Sequence, residues 1–324
     1  MNLTELRGCG TALVTPFQAN GELDETAMRR LVRRQLEEGI DFLVACATTG
    51  ESPVLTAEEQ ARIVQITLEE AGGKVPVIAA AGGNNTRRVC EQVRQVERLG
   101  VDGILSTSPY YNKPTQEGIY QHYRAVAQST RLPIVVYNVP GRTGSNIEPS
   151  TLVRLAEIPN ILGVKEASGN VVQIGEILRR VPARFRVISG DDSLTLPVMA
   201  MGACGVISVA SNVVPREMAD LVSLANRGDF GAARRLHFHL LPLMQVLFIE
   251  SSPIPVKAAL AALGLLQPIY RLPLVPMQPE THAKLLQVLE DLELLPVPPV
   301  LSAAEGSAAE GTAKEKQYAV GGAD

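Results

Sequence analysis

The sequence is poor in the features that define several broad classes of protein. Its four cysteines, Cys9, Cys46, Cys90 and Cys204, lie far apart and form no C-x-x-C pair, which fits a reducing, cytoplasmic compartment. The basic residues are scattered: 30 Lys and Arg stand against 34 Asp and Glu, with no stripe or run, so neither nucleic acid nor an anionic membrane is an expected partner. The longest apolar stretches, such as LLPLMQVLFI from Leu240 to Ile249, fall short of the roughly 20 residues that span a bilayer. The opening MNLTELRGCG lacks the charged and apolar regions of a secretory signal.

Metal and nucleotide signatures are equally sparse. The four histidines, His122, His237, His239 and His282, fall in segments of helical pattern, and no carboxylate or cysteine cluster completes a ligand set. No catalytic metal and no cofactor is expected. Gly82-Gly83-Asn84-Asn85 lacks the Lys-Ser/Thr ending of a P-loop and the spacing of a dinucleotide fingerprint, and reads as a turn at a strand end.

What the chain does have is repetition. Short runs rich in Val and Ile recur as TALV (from 11), DFLVAC (41), VPVIAA (75), VDGILS (101), LPIVVY (132), ILGVK (161), FRVIS (185) and ACGVISV (203). Near-continuous apolar runs are the mark of strands buried on both faces, hence of a parallel sheet. Between them lie helical patterns with start signals at Asp24, Thr56 and Thr86, and Glu59 completes a capping-box pattern with Thr56. This alternation predicts a (β/α)8 barrel over residues 1–226. A small helical domain is expected over 227–296, and a tail rich in Ala, Gly, Glu and Pro over 297–324, with little to bury.

In such a barrel the chemistry sits where strands end, and here those ends are polar. Thr48-Thr49-Gly50-Glu51 follows the second strand, Ser106 to Tyr111 the fourth and Tyr137-Asn138 the fifth; Lys165-Glu166 closes the sixth and Gly190-Asp191-Asp192 the seventh. Lys165 is the sharpest signal. An amine of ordinary pKa is neutral only about once in 2,500 at pH 7, so a nucleophilic lysine needs desolvation or nearby positive charge. An apolar barrel mouth supplies the first. The plainer reading is a lysine paired with Glu166. Tyr137 and Tyr111 bring phenols able to pass protons, and a threonine hydroxyl is able to link them. Arg142, in VPGRTG, carries a planar fork suited to a carboxylate.

The ordered motifs ATTGES (47), SPYYNKPTQEGIYQHY (108), YNVPGRTG (137), GVKEASG (163), SGDD (189), GVISV (205) and PIPVKAAL (253) resemble the 4-hydroxy-tetrahydrodipicolinate synthase family from about Gly8 to Gly264. That resemblance implies condensation of pyruvate, held as a Lys165 Schiff base, with L-aspartate 4-semialdehyde. It further implies Tyr137 as proton donor and acceptor, Thr48 and Tyr111 as the rest of a relay, and Thr49, Gly190, Ile207 and Arg142 as substrate contacts. Tyr111 would serve a neighbouring subunit, in a homotetramer built as a dimer of dimers. Ser52, Asn84 and Tyr110 match a regulatory lysine site, whereas Ala57, Gln60 and Arg88 depart from it, so weak lysine feedback is expected. Ala47 and Ser252 also depart from the common pattern, without removing a catalytic group. Alternatives of the same fold are N-acetylneuraminate lyase and the 2-keto-3-deoxy sugar acid aldolases. A non-catalytic small-acid-binding barrel and a metal-dependent hydrolase fit less well, since all the candidate catalytic groups are present and strand-end metal ligands are not.

Overall fold

The computed structural model describes residues 6–295, so the expected tail over 297–324 lies outside the described residues. Eight parallel strands close a barrel in sequence order. They are β1 (Gly8–Ala12), β2 (Phe42–Ala45), β3 (Val77–Ala80), β4 (Gly103–Thr107), β5 (Ile134–Asn138), β6 (Ile161–Glu166), β7 (Arg186–Ser189) and β8 (Gly205–Ser208). Each corresponds to one of the eight apolar runs, although β1 begins three residues earlier than TALV suggests because Gly8 pairs with Gly205 and Gly10 with Ile207 of β8.

The helices around the barrel are α1 (Glu25–Glu37), α2 (Ala57–Ala71), α3 (Thr86–Glu97), α4 (Gln116–Gln128), α5 (Pro140–Thr143), α6 (Pro149–Leu155), α7 (Val171–Arg180), α8 (Thr195–Ala200) and α9 (Pro215–Asn226). Three more follow: α10 (Phe230–Val246), α11 (Ile254–Ala262) and α12 (Pro279–Asp291). Asp24 caps α1 by accepting from the Ala27 amide, and Thr56 and Glu59 form the reciprocal capping box of α2. The start of α3 differs from expectation by one residue. Asn85 is the cap, accepting from the Arg88 amide, because the Thr86 hydroxyl is engaged with Nδ1 of His122 at 2.9 Å.

Two apolar layers follow from the alternation of side chains along each strand. One fills the space between strands and helices; the other, containing Ala12, Phe42, Val44, Ile78, Leu105, Val135, Ile188 and Ile207, fills the barrel itself. Gly10 makes room for the inner layer, since a Cβ there would lie 2.0 Å from the Phe42 ring. The barrel is thus a packed core and not a pore, which leaves the C-terminal ends of its strands as the place for a site.

β6 breaks the alternation. Ile134 pairs with Ile161 and Val135 with Gly163, so the register skips Leu162. Ile161 and Val164, three residues apart, both pack outward as a result. Lys165, of the same parity as Ile161, is thereby turned inward.

Candidate active site

The register of the sheet assembles the site. Tyr137 of β5 lies opposite Thr107 of β4 on one side and Lys165 of β6 on the other, and Lys165 lies opposite Ile188 of β7. Neighbouring strands are about 4.8 Å apart, so inward side chains on one such row touch. The Lys165 Nζ stands 4.5 Å from the centre of the Tyr137 ring. Its stem passes against Gly190, where a Cβ would sit 3.0 Å from the Lys165 Cε and 2.8 Å from the Ala167 Cβ. A glycine is therefore required after β7 for the lysine to reach its place. Ile207 is fully buried in the same inner layer.

One residue further along, the side chains face the other way. Asn138 and Glu166 are opposite each other, and the Asn138 amide donates to Glu166 Oε2 at 2.9 Å while the Ser168 backbone N–H donates to Oε1 at 2.7 Å. Glu166 is spoken for on the outer face. The plain salt-bridge reading of Lys165-Glu166 fails for this geometric reason.

Lys165 is 4% exposed, and burial pulls its pKa down to about 8. The buried carboxylate of Asp192 opposes that shift and the Arg142 guanidinium adds to it. At pH 7 an amine with a pKa of about 8 is neutral in about one molecule in ten, a gain of some two orders of magnitude over an ordinary lysine. The Tyr137 phenol is pushed the other way, up to about 12, by burial, with Arg142 opposing and Glu166 reinforcing the rise. It holds its proton at neutral pH and is able to donate it.

Asp192 was legible only as part of a polar strand end, and its role is evident from the fold. Its Oδ2 accepts from the backbone N–H groups of Val209 and Ala210 at 3.0 and 2.9 Å, tying the exit of β7 to that of β8. Burial raises its pKa.

Above this row a cleft of about 460 Å³ is lined by Thr48, Ser52, Thr107, Tyr110, Val139 and Arg142, among others. Thr48 and Thr49 form a short 3-10 turn after β2, with Thr49 buried and Thr48 half-buried. Arg142, on α5, donates from Nη2 to the Ser252 carbonyl at 3.1 Å. The expected site residues do not all converge within one chain. Tyr111 is 88% exposed and adopts a left-handed backbone, φ +70°, so its phenol is available to a neighbouring molecule. Asn84 is half-buried beside the cleft, its carbonyl accepting from the Asn112 amide at 3.0 Å. Ala57, Gln60 and Arg88 border an adjoining cavity between α2 and α3. Among the described residues, no three His, Cys, Asp or Glu side chains are grouped so as to hold a metal ion, and no helix is long and apolar enough to cross a membrane.

Left-handed non-glycine residues gather around this mouth. Cys46 and Glu51 flank the Thr48-Thr49 turn, and Tyr111 and Lys113 lie after β4. Such backbone costs of order 1–3 kcal/mol per residue and persists only where the surroundings hold it.

The chain matches the family model described as the dihydrodipicolinate synthetase family over residues 5–292. The 4-hydroxy-tetrahydrodipicolinate synthase of Koribacter versatilis (strain Ellin345) is 52% identical over 292 residues, covering 90% of this chain and 97% of that one. The fold of this chain superposes on the crystal structure of dihydrodipicolinate synthase from Thermotoga maritima with a TM-score of 0.88 at 47% identity, covering 89% of this chain and 99% of that chain. The Acinetobacter baumannii enzyme, a chloride-inhibited dihydrodipicolinate synthase solved with pyruvate, gives 0.88 at 40% identity, covering 90% and 100%. With a closed eight-stranded barrel, a desolvated lysine on its sixth strand and likeness over nine-tenths of its length, the chain belongs to the dihydrodipicolinate synthetase family.

Proposed function

We propose that this protein is a 4-hydroxy-tetrahydrodipicolinate synthase that condenses pyruvate with L-aspartate 4-semialdehyde. The observation that carries the proposal is the Lys165 amine, desolvated inside the barrel mouth and facing the Tyr137 ring. The neutral amine attacks the carbonyl carbon of pyruvate, and loss of water from the carbinolamine gives a protonated imine. Tyr137, protonated at neutral pH, supplies the proton that the departing hydroxyl takes. The imine acidifies the methyl group, whose proton passes to the Tyr137 phenolate left by the first step; the enamine carbon then attacks the aldehyde of the second substrate, and the alkoxide formed takes that proton from Tyr137. The new amine-bearing chain then closes on the imine carbon and displaces Lys165, which restores the enzyme.

Thr48 links Tyr137 to Tyr111 of a neighbouring subunit in this scheme, Thr49, Gly190 and Ile207 border pyruvate, and Arg142 holds the carboxylate of the semialdehyde. The exposure of Tyr111 supports an assembly in which subunits complete each other's sites; under this proposal the assembly is a homotetramer and its compartment the cytoplasm. In this reading the described part of the expected barrel, 6–226, is the catalytic unit, and the described part of the expected helical domain, 227–295, follows it. Ser52 and Tyr110, which line the cleft, are taken with Asn84 as the counterpart of a lysine-binding surface, in which Arg88 would bring a positive charge where an ammonium group needs a carboxylate. On this reading lysine feedback is weak or absent, and a titration is expected to leave most of the activity at submillimolar lysine.

The deciding experiment is pyruvate consumption with and without L-aspartate 4-semialdehyde, combined with borohydride reduction and mass spectrometry. Semialdehyde-dependent turnover is expected, with a reduced pyruvyl adduct on Lys165 that is absent in Lys165→Ala. Pyruvate release from a sugar acid without semialdehyde-dependent turnover would reject the assignment.

A further inference from the structure

A buried ion pair lies outside the chemistry just described. Lys257 of α11 and Glu51, which follows the Thr48–Gly50 turn, meet at 2.5 Å with 0% and 2% exposure, although 206 residues separate them. Lys257 Nζ also lies 4.4 Å from the Phe17 ring centre and 5.1 Å from that of Tyr270. Glu51 is itself one of the left-handed residues, φ 55°, and its backbone N–H closes the turn by donating to the Thr48 carbonyl at 3.0 Å. Its second oxygen, Oε2, is buried without a hydrogen-bond partner.

Such a pair is a poor device for stability alone. Desolvating two charges offsets much of their attraction, and an apolar pair of similar volume often serves the fold equally well. Its placement points elsewhere. Five residues before Lys257, the Ser252 carbonyl accepts from Arg142. One short stretch, 252–257, therefore grips the loop bearing Thr48 and Thr49 at one end and the guanidinium of Arg142 at the other. Arg271 grips the continuation of the same loop at the Val54 carbonyl, 3.0 Å, and the first turn of α2 at Glu59, 2.5 Å.

We infer that residues 252–257 are a brace which sets the position of the Thr48-Thr49 turn relative to Arg142, and that Glu51 and Lys257 are positioning residues for the condensation. The inference rests on the function proposed above. The brace acts on the alignment of groups around the imine and not on the Lys165 amine.

The test compares Glu51→Asp, Lys257→Met and the apolar double variant Glu51→Leu/Lys257→Met, measuring melting temperature, borohydride trapping of pyruvate, kcat, and KM for the semialdehyde. Removing one charge alone is expected to lower the melting temperature; removing both restores most of it. If the pair positions the turn, the double variant still traps pyruvate at saturation but has a kcat at least tenfold below wild type and a raised KM for the semialdehyde. Glu51→Asp, which keeps both charges and withdraws the carboxylate by one methylene, shows the same kinetic loss with little change in melting. Return of the double variant to within twofold of wild-type kinetics, or wild-type kinetics in Glu51→Asp, overturns the inference and leaves a purely structural pair. Absence of trapping in the wild type refutes the Schiff-base reading itself, an outcome read separately from the kcat comparison.

Discussion

Lys165 is an ordinary lysine given an unusual place. Burial lowers its pKa to about 8, and because the neutral amine is the nucleophile, activity is lost as pH falls through that value. kcat/KM for pyruvate is expected to drop about tenfold for each pH unit below about 7 and to level off above about 8. A profile flat from pH 6 to 9 would show that the free amine does not limit the reaction. Removing the charge at Asp192 offers a second check. With Asp192→Asn the carboxylate that favours the ammonium form is gone, so the acidic limb is expected to shift to lower pH, while the carboxamide oxygen remains to accept from the Val209 and Ala210 N–H groups as Oδ2 does now.

At the scale of elements, the site depends on strand ends held by helix starts. The second strand leads through the Thr48-Thr49 turn and Glu51 to the capping box of α2, in which Thr56 accepts from the Glu59 amide at 3.2 Å and Glu59 returns a bond to the Thr56 N–H at 2.9 Å. Thr56→Ala removes the hydroxyl half and is expected to cost about 1 kcal/mol, read as a fall in the urea midpoint. Because Glu59 also holds Arg271, the loop stays clamped, and kcat is expected to change less than twofold. The capping box was legible in the sequence since it is a local pattern four residues long. The cap of α3 was not, because the choice between Asn85 and Thr86 was made by His122, 36 residues away.

For the whole molecule, His122 links pH to folding. It is 4% exposed, its Nδ1 faces the Thr86 hydroxyl and its Nε2 has no partner. Burial lowers its pKa from 6.5 to about 4. The unfolded chain thus takes up a proton that the native fold refuses. Stability is full above about pH 6.5 and is lost as pH falls toward about 4, by about 3 kcal/mol in total. Urea midpoints measured across that window are expected to decline in the wild type and to decline less in His122→Gln; identical slopes would place the acid sensitivity in other groups.

Periodicity in the sequence determined the eight strands, their helices and hence the barrel, because burial on both faces leaves apolar runs that no other arrangement explains as well. It also determined the chemistry available, since Lys165 and Tyr137 stand at strand ends, and Arg142 and the threonine pair in the segments that follow strands, wherever the exact boundaries fall. Only the tertiary structure decided which way those groups face. Simple alternation from Ile161 would have put Lys165 on the helix side, and the skipped register at Leu162 reversed it. The same holds for Glu51 and Lys257. Each was visible as a residue, but a contact between positions 206 apart exists only once the chain has closed on itself. Local pattern reports what a segment buries; direction and distant pairing follow from register and closure, which no segment carries alone.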